Sequence, residues 1–180
     1  MITIDNSWTL FLDRDGVMNE EIKDGYVLQW EMFRFSEGVL AAMPVFNARF
    51  GHIVITTNQR CIGRGLLTEE GLKVIHTHML AEIRLHGGRV DAIYHCPDVN
   101  NDSPCRKPQS GMAMQAQAEF PAIDFSKSIM VGNTLGDMKF GKQLGMKTVF
   151  IPSTKPETPF PHPMIDFKCD NLLEFSKIIQ

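Results

Sequence analysis

Six short apolar segments, separated by segments with helical periodicity, most constrain how this chain of 180 residues can fold. Because each segment is a continuous apolar run, the six suit strands that are buried on both faces of a parallel sheet. Strands that alternate with helices form a doubly wound α/β domain. We therefore predict a Rossmann-like three-layer α/β sandwich with a mostly parallel central sheet, forming a single domain over residues 1–180. The predicted strands are 8–12, 52–56, 90–94, 128–131, 147–151 and, more weakly, 164–168.

Helix signals lie between these runs and are clearest over residues 68–86. Thr68 is a suitable N-cap, and Gly87-Gly88 ends the pattern. Between them runs an apolar stripe at helical spacing, formed by Leu72, Ile75, Met79 and Ile83. Further helices are predicted at 36–50, 111–120, 135–144 and 171–180, and a surface loop at 152–163.

The predicted helix 36–50 contains a conflict. Ser36 suits its N-cap, but Pro44 lies well past the first turn, where it removes a backbone hydrogen bond and costs about 3 kcal/mol. We therefore expect a kink at Pro44 or a helix that starts late.

Composition and charge exclude several classes of protein. A net charge of -3 and a pI near 6.1 give no basic field for nucleic acid or anionic lipid. The amino terminus lacks a signal-peptide pattern, and no window approaches the roughly 18 apolar residues of a membrane span. We predict a cytoplasmic protein without nucleic acid or membrane partners, and a monomer. Without a secretion signal, the four cysteines are expected to be free thiols or metal ligands rather than a disulfide framework, and only Cys96 and Cys105 are close enough to share a loop.

Polar side chains follow four of the predicted strands. In parallel sheets the site lies beyond the carboxyl ends of the strands, so these residues should converge. Carboxylates, a hydroxyl, a lysine and an amide together suit phosphoryl transfer with a magnesium ion. The set comprises Asp13 and Asp15, Thr57 and Asn58, Arg106 and Lys107, and Asn133 and Asp137.

Each of these signals has an ordinary structural explanation when taken alone. Two aspartates after a strand usually form a helix cap or turn, and Arg106-Lys107 alone would be a solvated basic pair. Arg64 is either an exposed loop charge or a second anion contact. His76 and His78 lie two residues apart on a helix, which suits surface positions better than a metal pair.

Four motifs favour a functional explanation over these structural ones, because they occur together and in order. "DRDGVMN", "TTNQ", "CRKP" and "VGNTLGD" resemble the motifs of the haloacid dehalogenase superfamily of phosphatases. The longer strings "FLDRDGVMNEE", "TNQRCIGRGLLTEE" and "CRKPQSGM" are similar to the heptose-bisphosphate and histidinol-phosphate phosphatases of that superfamily. The resemblance covers about residues 8–151. It implies a capless member, because no long insertion interrupts the motifs.

The resemblance also implies roles for the residues at the strand ends. Asp13 would be the nucleophile that forms an aspartyl phosphate, and Asp15 the general acid and base. Thr57, Asn58 and Lys107 would hold the phosphate, and Arg106 would contact the rest of the substrate. Arg64 would be a second anion contact if it is not simply an exposed loop charge. Mg²⁺ would be held by Asp13, Asp15 and the side chains at 133 and 137.

This sequence departs from the family pattern at two places. The fourth motif usually begins G-D, whereas here Asn133 brings a neutral amide to the metal. The resembling heptose phosphatases carry a zinc loop of the form C-x-H and C-x-C, whereas Asp98 and Ser103 stand here in place of a histidine and a cysteine. That is a poor ligand set, so zinc is not expected.

The favoured hypothesis is a magnesium-dependent phosphatase for a small phosphorylated metabolite, with heptose bisphosphate ahead of histidinol phosphate. The neutral Asn133 also motivates a second hypothesis, a catalytically weakened protein that binds a phosphorylated ligand. A DNA-end phosphatase shares the "DRDG" opening but would need a basic groove.

Overall fold

A six-stranded, fully parallel sheet organises the computed structural model, which describes residues 1–180. The strand order is β3-β2-β1-β4-β5-β6. The strands are β1 (Thr9–Leu12), β2 (His52–Asn58), β3 (Ala92–Cys96), β4 (Ser128–Gly132), β5 (Lys147–Phe150) and β6 (Phe167–Lys168). The α-helices are α1 (Val39–Arg49), α2 (Arg60–Gly63), α3 (Glu69–Leu85), α4 (Gly111–Glu119), α5 (Leu135–Gln143) and α6 (Leu172–Ile178). Short 3-10 turns occupy Trp30–Met32 and Phe125–Lys127.

Both faces of the sheet are buried, as the continuous apolar runs predicted. Leu10 and Leu12 of β1 belong to a core of 29 buried residues that also takes in α1, α3 and α6. Phe11, which points to the opposite face, packs in a second core with residues of α4 and α5. Because side chains alternate between faces along a strand, a run with no polar position is what two covered faces require. The three-layer α/β sandwich is therefore confirmed.

Helix α3 follows its prediction closely. Thr68 Oγ1 accepts a hydrogen bond from the Gly71 amide at 3.0 Å, and all four residues of the predicted stripe are buried. Gly87 follows the helix with a φ of +81°, a backbone conformation in which a side chain would be strained. His78 is exposed as expected, but His76 is only 8% exposed, so its predicted surface position is wrong.

Helix α1 begins at Val39, and its N-cap is Gly38 rather than Ser36. The late start resolves part of the predicted conflict, but Pro44 still lies inside the helix. Proline has no N–H, so the carbonyl four residues earlier has no helical donor. Phe46 packs on Phe175 of α6 with ring centroids 5.4 Å apart, and this burial offsets the lost hydrogen bond.

Strand β3 begins two residues later than predicted, at Ala92. Asp91 accounts for this shift, because its carboxylate accepts the Ile53 amide of β2 at 2.7 Å in place of a strand partner. The strand continues to Cys96, which pairs in register with Asn58. The polar ends of β2 and β3 therefore lie side by side.

No helix of the chain is both long and apolar enough to cross a membrane. The segments 13–38 and 59–68, which follow β1 and β2, contain only short turns and the single-turn helix α2. Neither segment contains an inserted domain, so the carboxyl edge of the sheet is not covered by one.

Candidate active site

A buried lysine joins two carboxylates at the carboxyl edge of the sheet. Lys107 Nζ lies 2.8 Å from Asp13 Oδ1 and 2.7 Å from Asp137 Oδ1. Asp13 directly follows β1, and its amide donates to Val131 O of β4 at 3.0 Å. Asp137 Oδ2 meanwhile accepts from the amide and the hydroxyl of Thr134 in the capping box of α5. Three separate chain segments therefore fix this charge arrangement.

Burial and neighbouring charge set the protonation of this group. Burial raises the pKa of Asp13 to about 7, with Asp137 adding to the rise and Lys107 opposing it. Burial alone would lower the pKa of Lys107, but Asp13 and Asp137 hold it above its usual value. The lysine is therefore charged at neutral pH, and a second cation beside Asp13 would favour its ionised form.

Three side chains donate to the Asp15 carboxylate. Arg14 Nη2 lies 2.8 Å from Oδ1 and 3.0 Å from Oδ2, Asn19 Nδ2 donates to Oδ1 at 3.0 Å, and Gln59 Nε2 donates to Oδ2 at 2.8 Å. Burial would raise the pKa of Asp15, but the charge of Arg14 and these hydrogen bonds lower it below its ordinary value. Gln59 Nε2 also donates to Thr57 Oγ1 at 2.8 Å, which leaves the Thr57 hydroxyl proton available to a ligand.

Asn58 is engaged with the main chain of Lys107. Its Oδ1 accepts the Lys107 amide at 3.0 Å, and its Nδ2 donates to the Lys107 carbonyl at 3.2 Å. Both polar atoms of the side chain are thereby used. The geometry supports a role in positioning Lys107, while the direct contact with substrate stays a prediction.

Asn133 supplies an oxygen that suits a metal ion. The residue is 1% exposed, and its Oδ1 has no hydrogen-bond partner. Its Nδ2 donates to Thr154 Oγ1 and lies 3.5 Å from Glu21 Oε2. A buried amide oxygen without a partner is costly unless a cation or donor occupies the site, and oxygen is the ligand that Mg²⁺ prefers. Asp13, Asp15 and Asn133 therefore fit a magnesium site.

Gly16 is required for this arrangement. A Cβ atom at this position would lie 1.9 Å from Asn133 Nδ2, and the φ of Gly16 is +83°. Any side chain would therefore displace the amide and strain the backbone.

A cavity of about 330 Å³ lies at this edge of the sheet. Of the residues predicted from the sequence, the cavity wall includes Asp13, Asp15, Thr57, Asn58, Arg106, Lys107, Asn133 and Asp137. Arg64 is not part of the wall; its Nη1 donates to Tyr26 OH at 2.7 Å, and Tyr26 lines the cavity. The structure thus brings together all but one of the predicted side chains.

Arginines give the rim of the cavity a positive charge. Arg60 and Arg106 line it, and Arg64 lies behind Tyr26. Burial lowers the pKa of Arg106 and the nearby Arg60 lowers it further, which reflects like charges held close together. None of the three forms a salt bridge. A ligand with an anionic group would supply the missing counter-charge.

The cysteine prediction is wrong for two of the four residues. Cys96, at the end of β3, and Cys105, just before Arg106, form a disulfide, whereas Cys61 and Cys169 are free and buried. The two sulfurs meet because the loop 97–104 returns to the end of β3, a proximity that the absence of a secretion signal does not predict. Asp98 and Ser103 lie beside them, with Ser103 Oγ 3.4 Å from Cys105 Sγ. While the disulfide is formed, neither sulfur can serve as the thiolate ligand that zinc requires.

Several residues of the site were missed by the sequence interpretation. Gln59 is the last residue of the motif "TTNQ", but the motif does not show that it connects Thr57 to Asp15. Glu21 follows β1 and Arg60 begins α2; the longer strings "FLDRDGVMNEE" and "TNQRCIGRGLLTEE" contain them but do not mark them as wall residues. Arg14 lies between the two aspartates of the first motif, but its contacts with Asp15 depend on a side-chain direction that the motif does not specify.

Comparison with known proteins places the chain in a family. The HAD-hydrolase-like family model matches residues 104–173. The chain is 38% identical over 142 residues to a D-glycero-alpha-D-manno-heptose-1,7-bisphosphate 7-phosphatase of Campylobacter jejuni, covering 79% of this chain and 80% of that protein. It is 33% identical over 179 residues to a D-glycero-beta-D-manno-heptose-1,7-bisphosphate 7-phosphatase of Haemophilus influenzae, covering 95% and 96%. The chain therefore belongs to the haloacid dehalogenase-like superfamily of phosphatases.

Solved structures agree with this assignment. The chain superimposes with a TM-score of 0.85 and 26% identity on the D,D-heptose 1,7-bisphosphate phosphatase of B. bronchiseptica complexed with magnesium and phosphate, covering 94% of this chain and 96% of that one. The D,D-heptose 1,7-bisphosphate phosphatase of Burkholderia thailandensis gives a TM-score of 0.70, also at 26% identity and with the same two coverages. These two structures, like the two relatives above, are heptose-bisphosphate phosphatases of that superfamily.

Proposed function

We propose that the protein is a magnesium-dependent phosphatase that hydrolyses a sugar bisphosphate through an aspartyl-phosphate intermediate. The contact between Lys107 Nζ and Asp13 Oδ1 carries this proposal. It places a fixed positive charge beside a carboxylate at a strand end, in a cavity with room for a phosphate group. The magnesium and phosphate named for the B. bronchiseptica structure support the same chemistry.

Asp13 would attack phosphorus with a carboxylate oxygen. The P–O bond to the sugar breaks, and its electron pair leaves with the sugar oxygen, which takes the proton of Asp15. Lys107 holds Asp13 and balances the phosphoryl charge. Asp137 fixes the Lys107 ammonium group, and Asn58 fixes the Lys107 main chain. Thr57 donates its free hydroxyl proton to a phosphoryl oxygen.

Asp15 then serves as the base. Its carboxylate takes a proton from water, the water oxygen attacks phosphorus, and the bond to Asp13 breaks to release phosphate. The lowered pKa of Asp15 suits this second step. For the first step, a bound phosphate dianion raises the pKa of the nearby carboxyl by charge repulsion, so the substrate itself favours the acid form.

Magnesium, when bound, would neutralise the charge of the transferring phosphoryl group. The Asp13 side chain, the main-chain carbonyl of Asp15 and Asn133 Oδ1 would hold it. Asp137 was expected among the ligands, but both of its oxygens already have partners, so we assign it to positioning Lys107.

The unpaired arginines at the rim favour a substrate with a second anionic group. A sugar bisphosphate has one, whereas histidinol phosphate carries an amine that Arg60 and Arg106 would repel. The relatives named as heptose-1,7-bisphosphate 7-phosphatases include both alpha and beta forms. We infer that a heptose 1,7-bisphosphate is the preferred substrate and that its 7-phosphate is the one released.

A panel of phosphate esters tests this function. With Mg²⁺, heptose 1,7-bisphosphate of either anomer should be hydrolysed with a kcat/KM at least tenfold above heptose 7-phosphate and histidinol phosphate. Arg106→Ala should erase most of that preference, while Arg84→Ala, which changes an exposed arginine of α3, should leave it intact. Equal hydrolysis of mono- and bisphosphates would refute the substrate assignment.

The nucleophile is tested separately. Asp13→Asn is isosteric and lies at a strand end, so the protein should fold and lose nearly all turnover of every ester. Acid-quenched wild-type enzyme should retain a phosphoryl group on Asp13 that the variant lacks. Activity above a few per cent in Asp13→Asn would remove Asp13 from this role.

A further inference from the structure

We propose that His76 is a positioning residue for catalysis, which holds the Arg14 guanidinium against Asp15 from behind. This inference rests on the proposed role of Asp15 as the proton carrier. His76 lies on α3, far in sequence from the four motifs. It adds a residue to the site that no motif contains.

The geometry is a buried relay of three side chains. His76 Nε2 lies 3.2 Å from Arg14 Nη1, while Nη2 of the same guanidinium lies 2.8 Å and 3.0 Å from the two oxygens of Asp15. Arg14 is 1% exposed. A guanidinium is planar, so a contact that fixes Nη1 also fixes the direction of Nη2.

His76 must be a neutral acceptor in this contact. Arg14 is a donor with no acceptor atom, so His76 presents the lone pair of Nε2 and carries its proton on Nδ1. Burial and the charge of Arg14 hold the pKa of His76 at about 3, far below its usual value, and so keep the ring neutral. An ordinary buried histidine on a helix would pack among apolar residues, whereas this ring directs its lone pair at the arginine that clamps Asp15.

His76 contacts Arg14 and also lines a second cavity. Arg14 lines the active-site cavity, whereas His76 lines a second cavity of about 550 Å³ between α3 and β3, which also holds Glu69 and His95. Without the His76 ring, we expect water from the second cavity to reach Arg14 and to compete with Asp15 for the guanidinium.

The test compares substitutions that keep or remove the acceptor. The amide oxygen of a glutamine is as many bonds from Cβ as Nε2, so His76→Gln should keep kcat within about threefold of wild type. His76→Leu should lower kcat at least tenfold with KM within twofold, and the loss should be larger for a sugar phosphate than for an aryl phosphate, whose leaving group needs no proton. His78→Leu, on the exposed side of the same helix, is the matched control and should behave as wild type.

Other outcomes overturn the inference. Equal losses of kcat in the Gln and Leu variants would show a merely structural role. Wild-type kcat in His76→Leu, or a change confined to KM, would show the same.

If His76→Leu does not fold, His76→Asn replaces it, because the asparagine oxygen reaches only the Nδ1 position. The Asn variant should lose activity that the Gln variant keeps, and equal activity of the two variants overturns the inference. In a crystal structure of the impaired variant, Arg14 Nη2 should leave at least one Asp15 oxygen, and an unchanged clamp refutes the relay. Full activity in Asp15→Asn, by contrast, would refute the proton-carrier role in the proposed function.

Discussion

Lys107 Nζ lies 2.8 Å from Asp13 Oδ1, and both side chains are almost completely buried. The lysine follows β3 through the loop 97–106, whereas the aspartate ends β1, so the pair joins chain segments that are 94 residues apart. Because Asp137 lies on the other side of the lysine, one cation serves two carboxylates. Lys107 is therefore needed for the stability of the folded protein as well as for the chemistry of the site.

Replacing Lys107 should destabilise the fold strongly. Lys107→Met removes the only cation that pairs with the buried carboxylates of Asp13 and Asp137, and breaking a buried ion pair in this way costs about 3–5 kcal/mol. Lys142 pairs with Asp166 at 2.6 Å near the surface, so Lys142→Met should cost about 1 kcal/mol or less. Denaturant unfolding at pH 7 measures both; equal losses would contradict the buried-pair explanation.

Asn133→Asp should strengthen magnesium binding. The change adds a negative charge where an unpartnered amide oxygen now lies. We expect the magnesium concentration for half-maximal activity to fall at least tenfold, which corresponds to about 1.4 kcal/mol. Calorimetric titration of the protein with Mg²⁺ gives the same comparison without substrate. Asn6→Asp, at an exposed position outside the cavity, is the control; identical affinities in wild type and Asn133→Asp would exclude residue 133 as a ligand.

The free energy of unfolding should decrease as the pH is lowered from 6.5, and His76 should account for part of that decrease. Its pKa is about 3 in the folded protein and 6.5 in the unfolded chain, so between these values the unfolded chain binds a proton that the folded one does not. Lowering the pH from 6.5 therefore favours unfolding, by about 2 kcal/mol at pH 5.

Comparison with a variant isolates this contribution. The raised pKa of Asp13 acts in the opposite direction, because the folded protein binds that proton first. His76→Gln removes the proton uptake of His76 on unfolding and leaves the proton release of Asp13 in place. The free energy of unfolding should therefore decrease less from pH 6.5 to pH 5 in the variant than in wild type. Parallel curves would show that His76 is not buried in its neutral form.

The Cys96–Cys105 disulfide predicts a labelling pattern. In protein unfolded without reductant, a thiol reagent should modify Cys61 and Cys169 and leave the other two cysteines unmodified. After reduction, the native protein should bind well under one equivalent of zinc, because Asp98 and Ser103 complete the ligand set poorly. Mass spectrometry of the labelled peptides and metal analysis measure these results; stoichiometric zinc through Cys96 and Cys105 would contradict the prediction.

The sequence by itself determined the sheet and most of the site. Apolar runs such as Leu10–Leu12 predict strands covered on both faces, since a polar residue inside them would be buried without a partner. Parallel strands end at one edge, so the residues after them, such as Asp13 and Lys107, had to converge. These conclusions follow from local pattern and topology, which the sequence contains directly.

Only the tertiary structure decided which atoms contact which. It showed that Asn58 grips the Lys107 main chain, that Cys96 meets Cys105, and that the apparently exposed His76 lies against Arg14. Each of these contacts depends on how a loop returns or how a helix is rotated about its axis. Packing over the whole domain sets these directions, and helical periodicity fixes spacing along the chain but not the partner that a polar side chain will face.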